Sequence, residues 1–440
     1  MNILFDNTNN SASAKTAVGG DARGVGVSWH SSLLSVSFNQ DASCFATGLR
    51  NKSCVFSCKP FKRHEFAADG GIGAMAMLYR TNLLAMVGGG GTPAFSPRRL
   101  RVVNTTSRSA LCELLFDTTV LSIKMNRERL VVALQNKIHV FDLDTMTALH
   151  MLVTPPNTEG LMALQSTVSK NNTSYLAFPG GTAKGEVVFF DVKSLKAIQL
   201  IPAHANPLVA MEFNLQGTVL ATASTGGTLV RVFKVPSGEC LHVFRRGSTR
   251  GTIRCLSFDR VGEHLCVGSA SGTIHFYKCA SVKASDAGDS QDLQSSMEAL
   301  ATSGTYDDFY KSGEIDGRTS SVEGVEGSSS KNSSWIGDFG SIVGSFMPKS
   351  VVGSTRSFAK IRLGEGSNSP IAPYVCAIMA GEKENDDSEF FVTVVSVSGI
   401  FSLYSVNKAS GLCRLEEENA LFESQSEALN AGFMASDGTV

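Results

Sequence analysis

Thr228-Leu-Val-Arg-Val-Phe-Lys234 and Thr252-Ile-Arg-Cys-Leu-Ser-Phe258 alternate in polarity, and Phe244-Arg-Arg-Gly247 lies between them. A period of two predicts β-strands, so Arg245 and Arg246 are expected in the turn between two strands. Successive side chains of an extended chain point to opposite faces, so the two arginines can serve two separate anion sites. Guanidinium is permanently charged and matches phosphate geometry. An isolated arginine pair can equally be a solvated feature of a turn.

Units made of short alternating strands and turns recur along the chain at a spacing of about 40 residues, the period of propeller blades. The units are Ser35–Cys58, Ala74–Val103, Val120–Leu143, Ser174–Val192, Ala210–Val235, Ile253–Cys279, and Tyr374–Met379 combined with Phe390–Val406. Short strands, frequent glycine and little helical periodicity predict an all-β, seven-bladed β-propeller of the WD40-like class. The Trp-Asp dipeptide that usually ends a WD40 repeat is missing, and Phe141-Asp142 and Phe190-Asp191 take its place.

The predicted organisation has three parts. Residues 1–28 are expected to form a flexible N-terminal arm, residues 29–415 the propeller, and residues 416–440 a polar C-terminal tail. Residues 281–357 interrupt the sixth unit, and a connection of that length is far longer than a hairpin loop. Its first part, up to Ser334, is rich in Ser, Gly, Asp and Glu, which predicts a disordered acidic spacer.

The second part of this insertion contains Trp335-Ile-Gly-Asp-Phe-Gly-Ser-Ile-Val-Gly-Ser-Phe-Met347. On a helix its apolar side chains would share one face. These side chains are Trp335, Ile336, Phe339, Ile342, Val343, Phe346 and Met347. Its three glycines disfavour a helix in water, so we expect the segment to become ordered on an apolar surface. A membrane interface fits this description, and docking on the propeller or on a protein partner is the alternative.

Bulk composition excludes several functions. The formal net charge is −1, from 39 Lys+Arg against 40 Asp+Glu, so there is no general attraction to nucleic acid. The ten cysteines form no CxxC pair, and the eight histidines have no metal-ligand spacing, so we expect reduced thiols, no metal and no cofactor. Catalytic signatures for nucleophilic hydrolysis, zinc proteolysis and nucleotide binding are missing, which indicates a protein that is not an enzyme. No segment is apolar enough to cross a bilayer, and the N-terminus is not a secretory signal.

The sequence as a whole resembles the PROPPIN family, which are phosphoinositide-binding β-propellers that act in autophagy. The resemblance runs from about residue 33 to about residue 415. Besides Phe244–Gly247, it is carried by the stretches Leu33–Asp41, Met77–Gly90, Ser96–Val102, Met125–Leu134, Ala221–Phe233 and Ser269–Phe276. It implies a seven-bladed propeller with two phosphate pockets and a membrane-inserting loop in the sixth blade, which is where residues 335–347 fall.

By resemblance, one pocket uses Arg245 and the other uses Arg246. The side chains assigned to the Arg245 pocket are His204, Ser224, Thr228 and Arg231. Those assigned to the Arg246 pocket are Arg250, Ser269, Thr273 and His275. Small hydroxyl side chains donate hydrogen bonds and leave room for a headgroup, while arginine neutralises the phosphate charge. The alternative is that the serines and threonines are ordinary turn and strand residues of the propeller. If His275 contacts phosphate, affinity should strengthen in mildly acidic conditions.

A weaker candidate is the loop that contains Phe95, Arg98 and Arg99, where an exposed Phe95 could dock a protein partner; a structural loop is the alternative. By resemblance, the chain binds phosphatidylinositol 3-phosphate and phosphatidylinositol 3,5-bisphosphate and recruits autophagy proteins, such as lipid-transfer or conjugation factors. We expect a monomer in the cytosol that attaches peripherally to phagophore, endosomal or vacuolar membranes. The competing interpretations are a protein-only scaffold and an effector in endosome or vacuole maintenance.

Overall fold

The computed structural model describes residues 2–4, 33–67, 69–167, 173–279, 354–364, 371–379 and 388–422. Within these ranges the chain forms thirty β-strands and no helix, and no membrane-spanning helix is found there. The strands are grouped in seven sheets of four or five strands. The predicted all-β, seven-bladed propeller is therefore confirmed.

The blades are numbered in chain order. Blade 1 contains β1 (Asn2–Leu4), β2 (Leu33–Phe38), β3 (Cys44–Leu49), β4 (Lys52–Cys58) and β5 (Phe61–Ala67). Blade 2 contains β6 (Ile72–Met77), β7 (Leu83–Gly88), β8 (Arg99–Asn104) and β9 (Ser109–Leu115). Blade 3 contains β10 (Ser122–Met125), β11 (Arg129–Ala133), β12 (Lys137–Asp142) and β13 (Ala148–Val153). Blade 4 contains β14 (Ala163–Leu164), β15 (Tyr175–Pro179), β16 (Gly185–Asp191) and β17 (Lys196–His204).

The last three blades follow the same antiparallel plan with one exchange between neighbours. Blade 5 contains β18 (Leu208–Phe213), β19 (Val219–Ser224), β20 (Leu229–Lys234), β21 (Cys240–Arg245) and, from much later in the chain, β25 (Thr355–Arg356). Blade 6 contains β22 (Ile253–Phe258), β23 (His264–Ser269), β24 (Thr273–Lys278) and β26 (Ala359–Arg362). Blade 7 contains β27 (Tyr374–Met379), β28 (Glu389–Ser396), β29 (Ile400–Asn407) and β30 (Cys413–Ala420).

Burial follows the position of a strand within its blade. The second strand of blade 5, Val219–Ser224, is buried at all six positions, because neighbouring blades cover both of its faces. The outermost strand of blade 7 contains only exposed and half-buried residues. Apolar clusters fill the space between adjacent blades, and one of them joins Phe45 of blade 1 to Phe401 of blade 7 with ring centroids 5.7 Å apart. This contact closes the ring.

A series of side-chain amides ties consecutive blades together next to the ends of their inner strands. Each amide donates to a backbone carbonyl of a following blade, which satisfies groups that would otherwise be buried without partners. The bonds run from Gln40 to Met77 O and Met125 O (both 2.8 Å), from Asn126 to Gln165 O (2.9 Å), from Gln165 to Gln216 O (3.2 Å) and from Gln216 to Arg260 O (2.6 Å).

Three details differ from the sequence-based prediction of the termini and the insertion. Residues 2–4 of the expected N-terminal arm pair with β2, whose free edge can accept another strand. The expected C-terminal tail begins too early at 416, because β30 continues to Ala420 and Leu421 is buried. The chain after the insertion adds β25 to blade 5 before β26 completes blade 6. The remainder of both expected termini and residues 280–353 lie outside the described residues.

Candidate anion-binding site on blades 5 and 6

The arginine pair lies at the end of the outer strand of blade 5. Arg245 is the last residue of β21 rather than part of a turn, and Arg246 follows with its backbone N–H donating to Thr228 O at 2.9 Å. Phe244 before them is buried and stacks on Tyr277 of blade 6 with ring centroids 4.6 Å apart. Because side chains alternate along a strand, the Arg245 side chain points away from this stack, toward the blade 4 side. The buried phenylalanine thus fixes the direction of the first arginine.

On the blade 4 side, Arg245 is accompanied by a hydrogen-bonded group. Arg231 Nη1 donates to His204 Nδ1 at 2.8 Å and to Ala203 O at 3.0 Å, and His204 Nε2 lies 3.0 Å from Thr222 Oγ1. Since arginine can only donate, Nδ1 must be unprotonated and Nε2–H must donate to Thr222. Burial and the Arg231 charge lower the pKa of His204 to about 4. His204 is therefore neutral and holds Arg231 in place.

The predicted hydroxyls of this pocket belong to the β19–β20 hairpin. Ser224 is buried at the end of β19, and its carbonyl accepts from Gly227 N–H at 2.9 Å. Gly227 has a φ of +59°, a left-handed conformation that favours glycine. Thr228 is half-buried and accepts the Arg246 N–H described above. The hairpin therefore forms a support for the arginine pair.

Arg246 is held by the loop that follows it. Its Nε donates to Gly227 O at 2.8 Å and its Nη2 to Thr249 O at 2.6 Å. Gly251 packs against the guanidinium so closely that a Cβ there would lie 2.8 Å from Nη2. Two of five guanidinium N–H groups are used in this way, and no carboxylate among the described residues forms an ion pair with Arg246. The side chain is oriented and still able to bind an anion.

His275 lies on β24 of blade 6, close enough to Arg246 for its charge to act on the imidazole. Its Nδ1 is 3.3 Å from Ser357 Oγ, and its ring stacks on Tyr277 with centroids 6.3 Å apart. Burial, Lys360 and Arg246 lower the pKa of His275 to about 4. A phosphate bound beside the imidazole would raise this pKa, so stronger binding in mildly acidic conditions stays a prediction.

The other residues assigned to this pocket differ in accessibility. Ser269 is fully buried, and its Oγ contacts Ser271 Oγ at 2.7 Å and Thr273 O at 3.0 Å. The same turn recurs in blade 7, where Ser396 Oγ contacts Ser398 Oγ at 2.6 Å without an arginine pair nearby in sequence. Ser269 thus has a role in the turn itself. Thr273 is half-buried and Arg250 is exposed.

Comparisons with known proteins show the family of this chain. Residues 32–306 match the model of the PROPPIN family. Autophagy-related protein 18 of Yarrowia lipolytica is 33% identical over 416 residues, covering 89% of this chain and 97% of the relative. Autophagy-related protein 18 of Emericella nidulans is 34% identical over 416 residues, covering 86% and 93%. The chain belongs to the PROPPIN family.

Solved structures of low sequence identity share the fold of this PROPPIN. Kluyveromyces lactis Hsv2 is 19% identical with a TM-score of 0.58, covering 88% of this chain and 98% of that structure. A complex of KlAtg21 with the coiled-coil of AgAtg16 contains a chain that is 22% identical with a TM-score of 0.59, again covering 88% and 98%. These likenesses support the propeller assignment.

Residues after the insertion also lie beside the candidate site of this PROPPIN, although they were not predicted to belong to either pocket. Thr355 and Arg356 pair with Phe244 and Arg245, while Ser357 contacts His275 as described. Lys360 pairs with His275 in the β24–β26 ladder. More than 70 residues separate His275 from this segment in sequence, so no local pattern could place them together. Thr222 was missed as well, although its alternation with Ser224 along β19 indicates the same face.

The predicted membrane-inserting residues lie outside the described residues. They are Trp335, Ile336, Phe339, Ile342, Val343, Phe346 and Met347. The described ranges contain no group of His, Cys, Asp or Glu side chains that could hold a metal ion. All ten cysteines fall within these ranges as free thiols, and burial raises the pKa of the Cys255 and Cys376 thiols.

The weaker candidate loop in blade 2 differs from its prediction. Phe95 is not exposed between its prolines but packs half-buried against an apolar cluster, with the Arg101 guanidinium 4.4 Å above its ring. Arg99 forms an ion pair with Glu113 at 3.3 Å, and Arg98 is exposed. The flanking prolines suggested an exposed ring at a loop tip, whereas the ring is half-buried against blade 2. Partner docking by this loop stays a prediction.

Proposed function

We propose that this PROPPIN binds phosphatidylinositol 3-phosphate and phosphatidylinositol 3,5-bisphosphate through Arg245 and Arg246 and recruits autophagy proteins to membranes. The observation that supports this proposal is that two adjacent guanidinium groups lie on different sides of blade 5, Arg245 toward blade 4 and Arg246 toward His275 of blade 6, with no carboxylate ion pair to either among the described residues. A protein-only scaffold has no need for two unneutralised arginines with preorganised supports. The names of the similar relatives, autophagy-related proteins, support the cellular role.

The chemistry of the two proposed pockets suits phosphate esters. Guanidinium offers paired N–H donors that match two phosphate oxygens. Arg245 is backed by Arg231, which His204 keeps in position, and Arg246 is oriented by two backbone carbonyls. Groups that are already oriented lose less conformational entropy when a ligand binds. A phosphate group that binds Arg246 therefore meets a guanidinium that is already oriented.

Two headgroup sites on one rim allow bivalent attachment to a membrane. After the first headgroup binds, the second site meets lipid at a high effective concentration, so weak sites combine into stable attachment. We propose that residues 335–347 add an apolar contact from the same side of the protein. The protein would then associate peripherally with phagophore, endosomal or vacuolar membranes rather than span them.

Liposome co-sedimentation tests this proposal. Wild type, Arg245→Thr, Arg246→Thr and the double variant are compared on phosphatidylcholine vesicles with phosphatidylinositol 3-phosphate, with the 3,5-bisphosphate, or with phosphatidylserine at equal charge. We expect each single variant to bind more weakly and the double variant to remain in the supernatant. Equal sedimentation of the wild type and the double variant would favour the protein-only scaffold.

A protein partner is the second element of the proposed function. The AgAtg16 coiled-coil in the KlAtg21 complex is a precedent for a PROPPIN-like propeller that binds an autophagy protein, and we propose a partner of this kind here. Imaging a fluorescent fusion after starvation separates the autophagy role from endosome or vacuole maintenance. Puncta that appear on starvation and contain lipidated autophagy proteins support the first; unchanged endosomal or vacuolar puncta support the second.

A further inference from the structure

The strand that follows the insertion places a third arginine next to the arginine pair. Thr355–Arg356 forms β25, which runs parallel to β21 at the outer edge of blade 5. In this ladder Thr355 is the partner of Phe244 and Arg356 is the partner of Arg245. Neighbouring strands lie about 4.8 Å apart, and laterally paired residues direct their side chains to the same face. Arg356 therefore shares the blade 4 side of the sheet with Arg245.

This pairing is electrostatically unfavourable in the unliganded protein. Both arginines are exposed, and like charges directly opposite each other on neighbouring strands destabilise a sheet. Among the described residues, neither forms an ion pair with a carboxylate that would offset the repulsion. Arg231 lies on the adjacent β20, where His204 accepts a hydrogen bond from it, and adds a third positive charge to this side. An anion bound between the arginines would convert the repulsion into attraction.

We propose that Arg356 is a third phosphate-binding guanidinium of the Arg245 pocket, supplied to blade 5 by the strand that follows the insertion. This inference rests on the proposed function and adds a residue to it. The ligand class is a phosphorylated inositol, either as a lipid headgroup or as a free inositol phosphate. An anion that contacts Arg245 and Arg356 together also joins β25, which is held by only two residue pairs, to the outer edge of blade 5.

The test compares Arg356→Gln with Arg414→Gln, a matched control on the outermost strand of blade 7 that is also exposed. Arg245→Thr/Arg246→Thr is the reference for loss of both proposed sites. Each protein is titrated with soluble inositol 1,3-bisphosphate and with vesicles containing phosphatidylinositol 3-phosphate. We expect Arg356→Gln to weaken binding to both ligands about ten- to a hundredfold, the effect of losing one charge-assisted hydrogen bond. Arg414→Gln should match the wild type.

Hydrogen exchange provides a second readout that does not depend on the membrane. Addition of inositol 1,3-bisphosphate should slow amide exchange of residues 354–357 in the wild type and in Arg414→Gln, but not in Arg356→Gln. If Arg356→Gln weakens vesicle binding alone, Arg356 senses only membrane charge and the inference is overturned. If it behaves like Arg414→Gln while the double variant loses binding, the proposed function stands and the inference fails. If the double variant also binds normally, the proposed function itself fails.

Discussion

Gly251 offers a way to disturb the Arg246 pocket without removing a charge. An alanine Cβ at this position would lie 2.8, 3.1 and 3.2 Å from Nη2, Nη1 and Cζ of Arg246. Ordinary contacts to a Cβ are longer than these distances, so the guanidinium must move by several tenths of an ångström. The end of an arginine side chain can move easily, which is why we expect the fold to tolerate Gly251→Ala.

The movement has a cost for binding that follows from the contacts of Arg246. A displaced guanidinium lengthens and misaligns the 2.6 Å bond to Thr249 O, which is part of what orients it. Hydrogen bonds to charged groups contribute about 1.5–3 kcal/mol, and loss of orientation should weaken headgroup binding at this pocket about tenfold. Because no contact to the core is changed, the free energy of unfolding should decrease by less than about 1 kcal/mol.

Gly247 provides the matched control in the same loop. A Cβ at Gly247 would meet nothing within 4 Å, so Gly247→Ala introduces the same methyl group without displacing Arg246. Isothermal titration with soluble inositol 1,3-bisphosphate and thermal unfolding should be run on both variants. Equal headgroup affinity of Gly251→Ala and Gly247→Ala would refute the assignment of Arg246 as an oriented anion ligand.

Three further predictions concern the core, pH and the membrane segment. Phe244→Ala should lower the free energy of unfolding by about 3–5 kcal/mol in a denaturant titration, because the ring is buried; a change below 1 kcal/mol would contradict its anchoring role. Burial lowers the pKa of His204 and His275 to about 4 from 6.5, so the free energy of unfolding should fall as the pH drops from 6.5 to 4. The double variant His204→Gln/His275→Gln should lose less stability over this range. An unchanged dependence of stability on pH in that variant would argue against neutral imidazoles. Ile342→Glu should reduce vesicle binding but leave soluble headgroup binding intact, and equal vesicle binding would count against membrane insertion.

Much of the fold could be predicted because each blade repeats local patterns. The alternation of Thr228–Lys234 and of Thr252–Phe258 predicted two strands that the structure contains as β20 and β22. The outer strands were harder to recognise, since they are only partly covered by neighbours and their polar residues resemble a loop or tail. Glu416, Glu417 and Glu418 in β30 show this most clearly, because an acidic run in an outer strand carries no apolar signal.

The site could be predicted in its sequence-local part only. Arg245 and Arg246 are conspicuous because they are adjacent. Thr273 and His275, two residues apart on β24, follow from strand alternation. By contrast, Arg356 joins the site through a parallel pairing across an insertion, and no pattern in one sequence predicts that register. The burial of individual side chains could not be predicted from the sequence either. Ser269 could not be distinguished from an accessible hydroxyl, and Phe95 could not be recognised as packed beneath Arg101.

The most direct test of two separate phosphate sites is the stoichiometry of headgroup binding. Isothermal titration of soluble inositol 1,3-bisphosphate should give two sites in the wild type, one in Arg245→Thr, one in Arg246→Thr and none in the double variant. A single site in the wild type, or loss of all binding in either single variant, would contradict the division of the arginine pair between two pockets.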